Sequence, residues 1–349
     1  MSIQRRELLK RASALPAALA LLTPARLLAQ VPDPYLAQVH PELRVAAARL
    51  TAMFGHLPPL SRATLEQQRA GMNSYSAPPL ADVPYEKRRI PGDRGQPGVT
   101  VYVINARQGT RRPAILYTHG GGYVLGTALG GVAGVQALCK ELDCVAVSVD
   151  YRLAPETTYR GSIEDNYAGL KWLYDNAAEI GVDRARIAVM GDSAGGGHAA
   201  ILAITARDRG EVPLAFQCLI YPMLDDRTGT TRKVPPQVGK LVWTAESNRF
   251  GWESFLGMAP GGRSAPPWAV PARVENLAGL PPAFIGVGSL DLFVDEDVDY
   301  AQRLNAAGVP AELIVVPGAF HGFDGMPSKI GQWFNAAKID ALRRGLGLV

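Results

Sequence analysis

Six short apolar runs, at 114–118, 144–149, 187–190, 216–221, 284–287 and 312–316, recur along the chain with helical patterns between them. A strand with one wet face alternates apolar and polar residues. Most of these runs do not alternate, so they read as strands buried on both faces of a largely parallel sheet. The intervals hold helical patterns at roughly 130–141, 163–180, 194–207, 295–307 and 329–345. Ser162 is the expected cap of the second and Gly181 its stop. Strand–helix alternation predicts an α/β, doubly wound architecture. Two helical stretches come earlier. One starts at Pro41 and sets Leu43, Ala46, Leu50 and Phe54 on one face, and the other is capped by Ser61 and runs to about Gly71. Residues 85–90 and 99–105 read as a hairpin turning at Pro91-Gly92-Asp93-Arg94-Gly95.

One stretch breaks the rhythm. Residues 225–282 hold no strand pattern, yet carry Trp243, Phe250, Trp252, Phe255 and Trp268, three of the five tryptophans of the chain. So aromatic an insertion at a strand's carboxyl end is a candidate lid, with a packed surface excursion as the alternative.

Composition excludes some classes. With 47% hydrophobic and 19% charged residues the chain is neither disordered nor collagen-like. The net charge of +4 comes from Arg5, Arg6, Lys10, Arg11 and Arg26 against Glu7, and the rest balances at 31 basic against 31 acidic side chains. No basic surface is left for nucleic acid. Residues 1–29 combine that basic start with an apolar run at 12–22 and small residues at Ala25 and Ala29, the three-part pattern of an export signal. Arg5-Arg6 followed by Leu8-Leu9-Lys10 resembles a twin-arginine signal, and Pro16 and Pro24 argue against a helix of the mature fold. The expected location is therefore periplasmic or secreted. The run is too short for a permanent membrane span, although an uncleaved signal would tether the protein. Cys139, Cys144 and Cys218 read as buried small side chains, with a pairing of Cys139 and Cys144 left open.

The chemistry concentrates at strand ends. Gly191-Asp192-Ser193-Ala194-Gly195-Gly196 lies between a strand and a helix. A sharp turn of that kind needs small neighbours on both sides of Ser193, and it projects the hydroxyl from the turn. His119-Gly120-Gly121-Gly122-Tyr123 follows the first run of the parallel series. Its glycines let backbone N–H groups approach an oxygen, so Gly121, Gly122 and Ala194 are the candidate oxyanion donors. A phosphate loop is excluded because no Lys-Ser/Thr follows. A serine needs a base. His40 and His56 lie far upstream, His198 falls behind the turn, and His119 sits on the glycine loop as a structural hydrogen-bonder. His321, after the last strand, is the base best positioned, and Asp291, the first carboxylate after the preceding strand, is its orienting acid. Asp295, Glu296 and Asp297 read as the acidic first turn of the next helix. Asp150 and Arg152 read as a buried ion pair beside the site. No cysteine or histidine–carboxylate set has metal-ligand spacing, so no metal or cofactor is expected.

Taken together, the HGGG segment, Asp150-Tyr151-Arg152-Leu153-Ala154-Pro155-Glu156, the GDSAGG turn, Asp291 and Phe320-His321-Gly322-Phe323 resemble the bacterial hormone-sensitive-lipase family of esterases, over residues 80 to 345. The resemblance implies an α/β-hydrolase fold for a single domain at 30–349, with a helical cap from about 30–80 and 225–270. It implies cofactor-free hydrolysis of small carboxylic esters with short to medium acyl chains. Ser193 would be nucleophile, Asp291 acid, His321 base, and Gly121, Gly122 and Ala194 the oxyanion donors. The aromatics in 243–268 are expected to shape the chain-length limit, and truncating Trp252 and Phe255 would test it by shifting chain-length preference. Gly197, Thr158-Tyr159-Arg160 and Leu292 depart from the family pattern. Amide cleavage, acyl transfer, action on long-chain lipids and, remotely, non-catalytic binding stay open, and a homodimer is compatible with the sequence.

Overall fold

Eight strands form one sheet: β1 (Tyr85–Ile90), β2 (Val99–Ile104), β3 (Arg112–Thr118), β4 (Val145–Asp150), β5 (Val182–Asp192), β6 (Phe216–Ile220), β7 (Ala283–Gly288) and β8 (Ala311–Val316). The computed structural model describes residues 34–74 and 77–349, so the export signal expected at 1–29 lies outside the described residues. The order across the sheet is β1-β2-β4-β3-β5-β6-β7-β8. β1 and β2 make the expected hairpin, with Tyr85 opposite Ile104. β2 is antiparallel to β4, and from β4 to β8 the neighbours are parallel. β3, β6 and β7 are buried along their whole length, which is why their sequences do not alternate.

Ten helices surround the sheet among the described residues: α1 (Pro34–Gln38), α2 (Arg44–Phe54), α3 (Leu65–Ser74), α4 (Ala128–Leu142), α5 (Tyr159–Asp175), α6 (Ala177–Ile180), α7 (Ala194–Arg209), α8 (Ala245–Leu256), α9 (Val294–Ala306) and α10 (Lys329–Gly345). Adjacent strand residues point to opposite faces. Leu116, Val147, Val189 and Ile285 join one apolar cluster with α5, α7 and α9. Ile115, Ala146, Ala188 and Phe284 join the other with α4 and α10. This is the α/β-hydrolase architecture the resemblance implied. Among the described residues no helix is long and apolar enough to cross a membrane.

Several local expectations change. The helix expected at 163–180 begins at Tyr159 and divides at Asn176, and Ser162 is buried inside it rather than capping it. Gly161 sits in its first turn because a Cβ there would meet Thr157 Oγ1 at 2.3 Å and Arg152 Nη2 at 3.0 Å. Gly181 does close α6 in the left-handed conformation. Ser61 does not cap α3: its N–H donates to Thr64 Oγ1 at 3.0 Å, and the helix begins at Leu65. Asp150 and Arg152 do not pair. Asp150 Oδ1 accepts the Ala128 N–H at the start of α4 at 2.9 Å. Arg152 forks onto buried Asp165 of α5, with both N···O distances 2.8 Å, because a guanidinium is best matched by two oxygens of one carboxylate. Cys139, Cys144 and Cys218 are buried free thiols, and hydrogen bonding to Cys144 together with burial raises the Cys139 pKa.

The segment expected to cap the site from 30–80 divides. Val39, Leu43 and Ala47 join the cluster of α4 and α10, and the His40 N–H donates to Gly318 O at 2.8 Å. Leu60 and Leu65 instead join Trp243, Trp252 and Phe255 of the insertion. Arg69 of α3 fastens that part to the core, donating to Val124 O at 2.8 Å and Ala154 O at 3.0 Å and pairing with Glu156 at 2.7 Å. The insertion contains α8, capped by Thr244 at the Ser247 N–H, and its strand-like content is one isolated bridge between Thr228 and Arg232. Its two ends meet where Arg273 pairs with fully buried Asp226 at 2.6 Å.

Candidate active site

The strand ends bring the candidate residues together. Between β5 and α7 the chain reverses in so little space that a Cβ at Gly191 would lie 2.3 Å from Gly195 C, and one at Gly195 would lie 2.1 Å from Thr118 O. The small neighbours predicted around Ser193 are therefore a clearance requirement. Ser193 itself takes φ +59°, ψ −124°, a strained conformation for a residue with a side chain. Its backbone is held from three sides: the Ser193 N–H donates to Ile220 O at 2.8 Å, and its carbonyl accepts the Gly197 and Met223 N–H groups, each at 3.0 Å.

His321, in the loop after β8, reaches the turn. Its Nε2 lies 2.9 Å from Ser193 Oγ and its Nδ1 lies 2.8 Å from Asp291 Oδ2. Asp291 is fully buried, and its other oxygen accepts the Phe293 N–H at 3.0 Å. A carboxylate at Nδ1 fixes the proton there and leaves Nε2 to accept from the hydroxyl. The imidazole packs between Tyr221 and Phe293, with ring centres 4.6 and 5.4 Å away. Tyr221 escaped the sequence reading. Its hydroxyl donates to Asp324 Oδ1 at 2.7 Å, and Lys338 lies 3.5 Å from the same carboxylate. Beside the serine, Asp192 accepts from Tyr117 Oη at 2.6 Å, and burial raises its pKa to about 6.

The glycine loop lies against this turn. Gly121 has φ +123° and Gly122 φ +60°, values open to glycine. Among the described residues neither N–H is donated to a protein acceptor. Ala194 is the first residue of α7, so its N–H has no partner within the helix. His119 is structural in its contacts: Nδ1 lies 2.9 Å from Gly120 O, and the ring stacks on Tyr151 at 4.2 Å. His198 is buried away from the turn among Tyr123, Tyr151 and Phe255, where burial lowers its pKa to about 3. The His40 side chain caps a short turn, accepting from the Glu42 N–H at 3.3 Å. At Gly197, one of the departures from the family pattern, a Cβ would meet Tyr123 Oη and Met223 O at 2.3 Å each, and those two atoms are themselves hydrogen-bonded at 2.9 Å.

The acids after Asp291 do more than start a helix. Glu296 is buried and accepts the Leu224 and Asp225 N–H groups at 2.6 and 3.1 Å, fixing the chain where it leaves β6. Trp252 and Phe255 are also buried, packed around the Tyr123 ring at 5.1 and 4.0 Å. Among the insertion's tryptophans, it is Trp243 that lies against Gly122.

Known proteins resemble this chain in sequence and in fold. A family model described as the alpha/beta hydrolase fold matches residues 115–325. Esterase LipI of Mycobacterium tuberculosis is 36% identical over 266 residues, covering 74% of this chain and 78% of that protein. Carboxylesterase NlhH of the same species is 35% identical over 280 residues, covering 74% and 82%. Among solved structures, a bacterial heroin esterase superposes with a TM-score of 0.77 at 34% identity, covering 89% of this chain and 99% of that one.

Proposed function

This chain belongs to the α/β-hydrolase family and is a carboxylic ester hydrolase, and we propose that it works as a serine esterase through Ser193, His321 and Asp291. One observation carries the catalytic assignment: Ser193 Oγ, His321 and Asp291 stand in a single hydrogen-bonded line of 2.9 and 2.8 Å. His321 Nε2 takes the hydroxyl proton as Ser193 Oγ attacks the ester carbonyl, and Asp291 steadies the imidazolium. The Gly121, Gly122 and Ala194 N–H groups receive the negative charge that develops on the carbonyl oxygen. Each donor of this kind is worth about 10²–10³ in rate. Collapse expels the alcohol, protonated by His321, and leaves an acyl-serine. Water, deprotonated by His321, then releases the acid. The acyl part is short to medium in length, in keeping with the family resemblance.

The test is turnover of p-nitrophenyl esters by the wild type beside Ser193→Ala. Ester turnover that drops on the order of 10⁶-fold in a folded variant supports the assignment. Turnover that survives in the variant moves the nucleophile elsewhere. Competition between an ester and its amide analogue separates esterase from amidase. We also propose export, supported by the basic start and apolar run of residues 1–29. Replacing Arg5 and Arg6 by lysine should keep the esterase in the cytoplasmic fraction, and unchanged fractionation would argue against a twin-arginine route.

A further inference from the structure

The approach to Trp243 is strained. Val242 has φ +64°, and the Trp243 N–H donates to Leu241 O at 2.7 Å, a three-residue turn of the rare left-handed kind. A β-branched residue is poorly suited to that conformation, and Val242 gains no burial from it, since it is half exposed. What the turn achieves is to send the next side chain inward. Trp243 is buried, and its Nε1 donates to Asn248 Oδ1 at 3.2 Å. Asn248 is fully buried and donates in turn to Thr228 O at 2.9 Å. Backbone and indole N–H therefore fix the ring independently. Its benzene edge lies over Gly122: a Cβ there would meet Cη2 at 1.9 Å and Cζ2 at 2.4 Å. From α8, Gly251 approaches so closely that its own Cβ would stand 2.6 Å from Gly122 O.

We propose that Trp243 is the wall of the acyl pocket and restricts the enzyme to esters of short acids, acetyl to butyryl. The inference rests on the serine-esterase reading above. A carbonyl attacked by Ser193 has four substituents. One is Oγ. The oxyanion turns to the Gly121, Gly122 and Ala194 N–H groups. The leaving oxygen must face His321 Nε2 to receive its proton, and that side is bounded by Tyr221 and Phe293. The remaining direction, assigned to the acyl carbon, runs past the oxyanion donors to the side of Gly122 on which the indole edge of Trp243 stands. Trp252 and Phe255 act one layer back. They pack on Tyr123, the residue that follows the glycine loop.

Two substrate series test this, using the wild type, Trp243→Ala and Trp243→Leu. The first varies the acid, from p-nitrophenyl acetate to decanoate. The second keeps acetate and varies the alcohol, from methyl to octyl. The wild type should favour acetate or butyrate. Trp243→Ala should raise the octanoate-to-acetate ratio of kcat/KM by about 10–200-fold, and Trp243→Leu by less, with the alcohol series parallel to the wild type. Because the readout is a ratio within one enzyme, general loosening of the fold does not imitate it. Trp243→Leu retains apolar volume should the alanine variant not fold. An unchanged ratio in a folded variant, a wild type that already prefers octanoate, or a shift confined to the alcohol series overturns the proposal while the esterase stands. A wild type that hydrolyses no ester overturns the esterase reading and this inference with it.

Discussion

At the serine turn, a Cβ on Gly195 would stand 2.1 Å from a carbonyl oxygen of the neighbouring strand, and no side chain can give way there. In the insertion that packs on the glycine loop, Gly122 meets a ring edge at 1.9 Å, and that neighbour is a side chain. The two contacts are similarly tight and differ in kind. The turn is fixed by backbone against backbone. The insertion is fixed by Trp243, Asn248 and the Asp226–Arg273 pair, each of which another side chain could replace. The proposed nucleophile Ser193 sits on the first kind of structure, and the proposed acyl wall, Trp243, belongs to the second.

Substitutions on each side probe that contrast. The largest expected effect is at the core side. Asp291→Asn should lower kcat on the order of 10⁴-fold while thermal unfolding stays close to wild type, because the amide no longer holds the proton on Nδ1. A loss below tenfold would mean that Asp291 does not orient His321. Next is the neck of the insertion. Asp226→Ala removes the partner of the mostly covered Arg273 and the acceptor of the Gly261 N–H, and should cost up to about 3 kcal/mol in denaturant unfolding. If only the insertion loosens, acyl selectivity should change before ester turnover is lost. Gly122→Ala lies where the two regions touch. It should cost about 10²–10³ in kcat, through displacement of an oxyanion donor. Adding Trp243→Ala removes the ring clash and leaves the unfavourable φ of +60°. A partial rescue is therefore expected, and complete rescue would show that the side chain alone dictates Gly122.

The smallest effect at neutral pH concerns His198. Its folded pKa, about 3, lies below the ordinary 6.5, chiefly through burial. Between those values the unfolded chain holds the extra proton, so stability is intact above the window and falls as pH drops through it. Asp192, raised by burial from 3.8 to about 6, has the opposite slope in its own window. Comparing wild type with His198→Phe by melting temperature against pH isolates the histidine. The variant should have the flatter acid limb, and parallel limbs would rule out His198 as the acid-labile group.

Legibility in the sequence follows the same division. Runs such as 114–118 and 284–287 declared the sheet because strands buried on both faces must be apolar throughout. Ser193, Asp291 and His321 could be chosen by position, since each follows a strand and the chain order is restricted. Side-chain partners were not legible. Arg152 pairs with Asp165 on a later helix, not with Asp150 two residues away. Gly161 serves a packed guanidinium inside a helix, a use that composition does not announce. Among five aromatics in the insertion, nothing in the sequence distinguished Trp243, which meets Gly122, from Trp252 and Phe255, which brace Tyr123. The distinguishing feature is the turn at Val242, and a valine gives no warning of a positive φ.

Asp226 and Arg273, 47 positions apart, are joined by a buried ion pair. The chain between them therefore leaves and returns at one point, as a cassette does. Closing such a loop costs only about 0.6 kcal/mol more for each doubling of its length. Residues added or lost in its exposed turns, such as that at 257–264, should leave β6 and β7 paired as before. On the acyl-pocket reading, a change of length there should alter the choice of acid while the order of the sheet stays as it is.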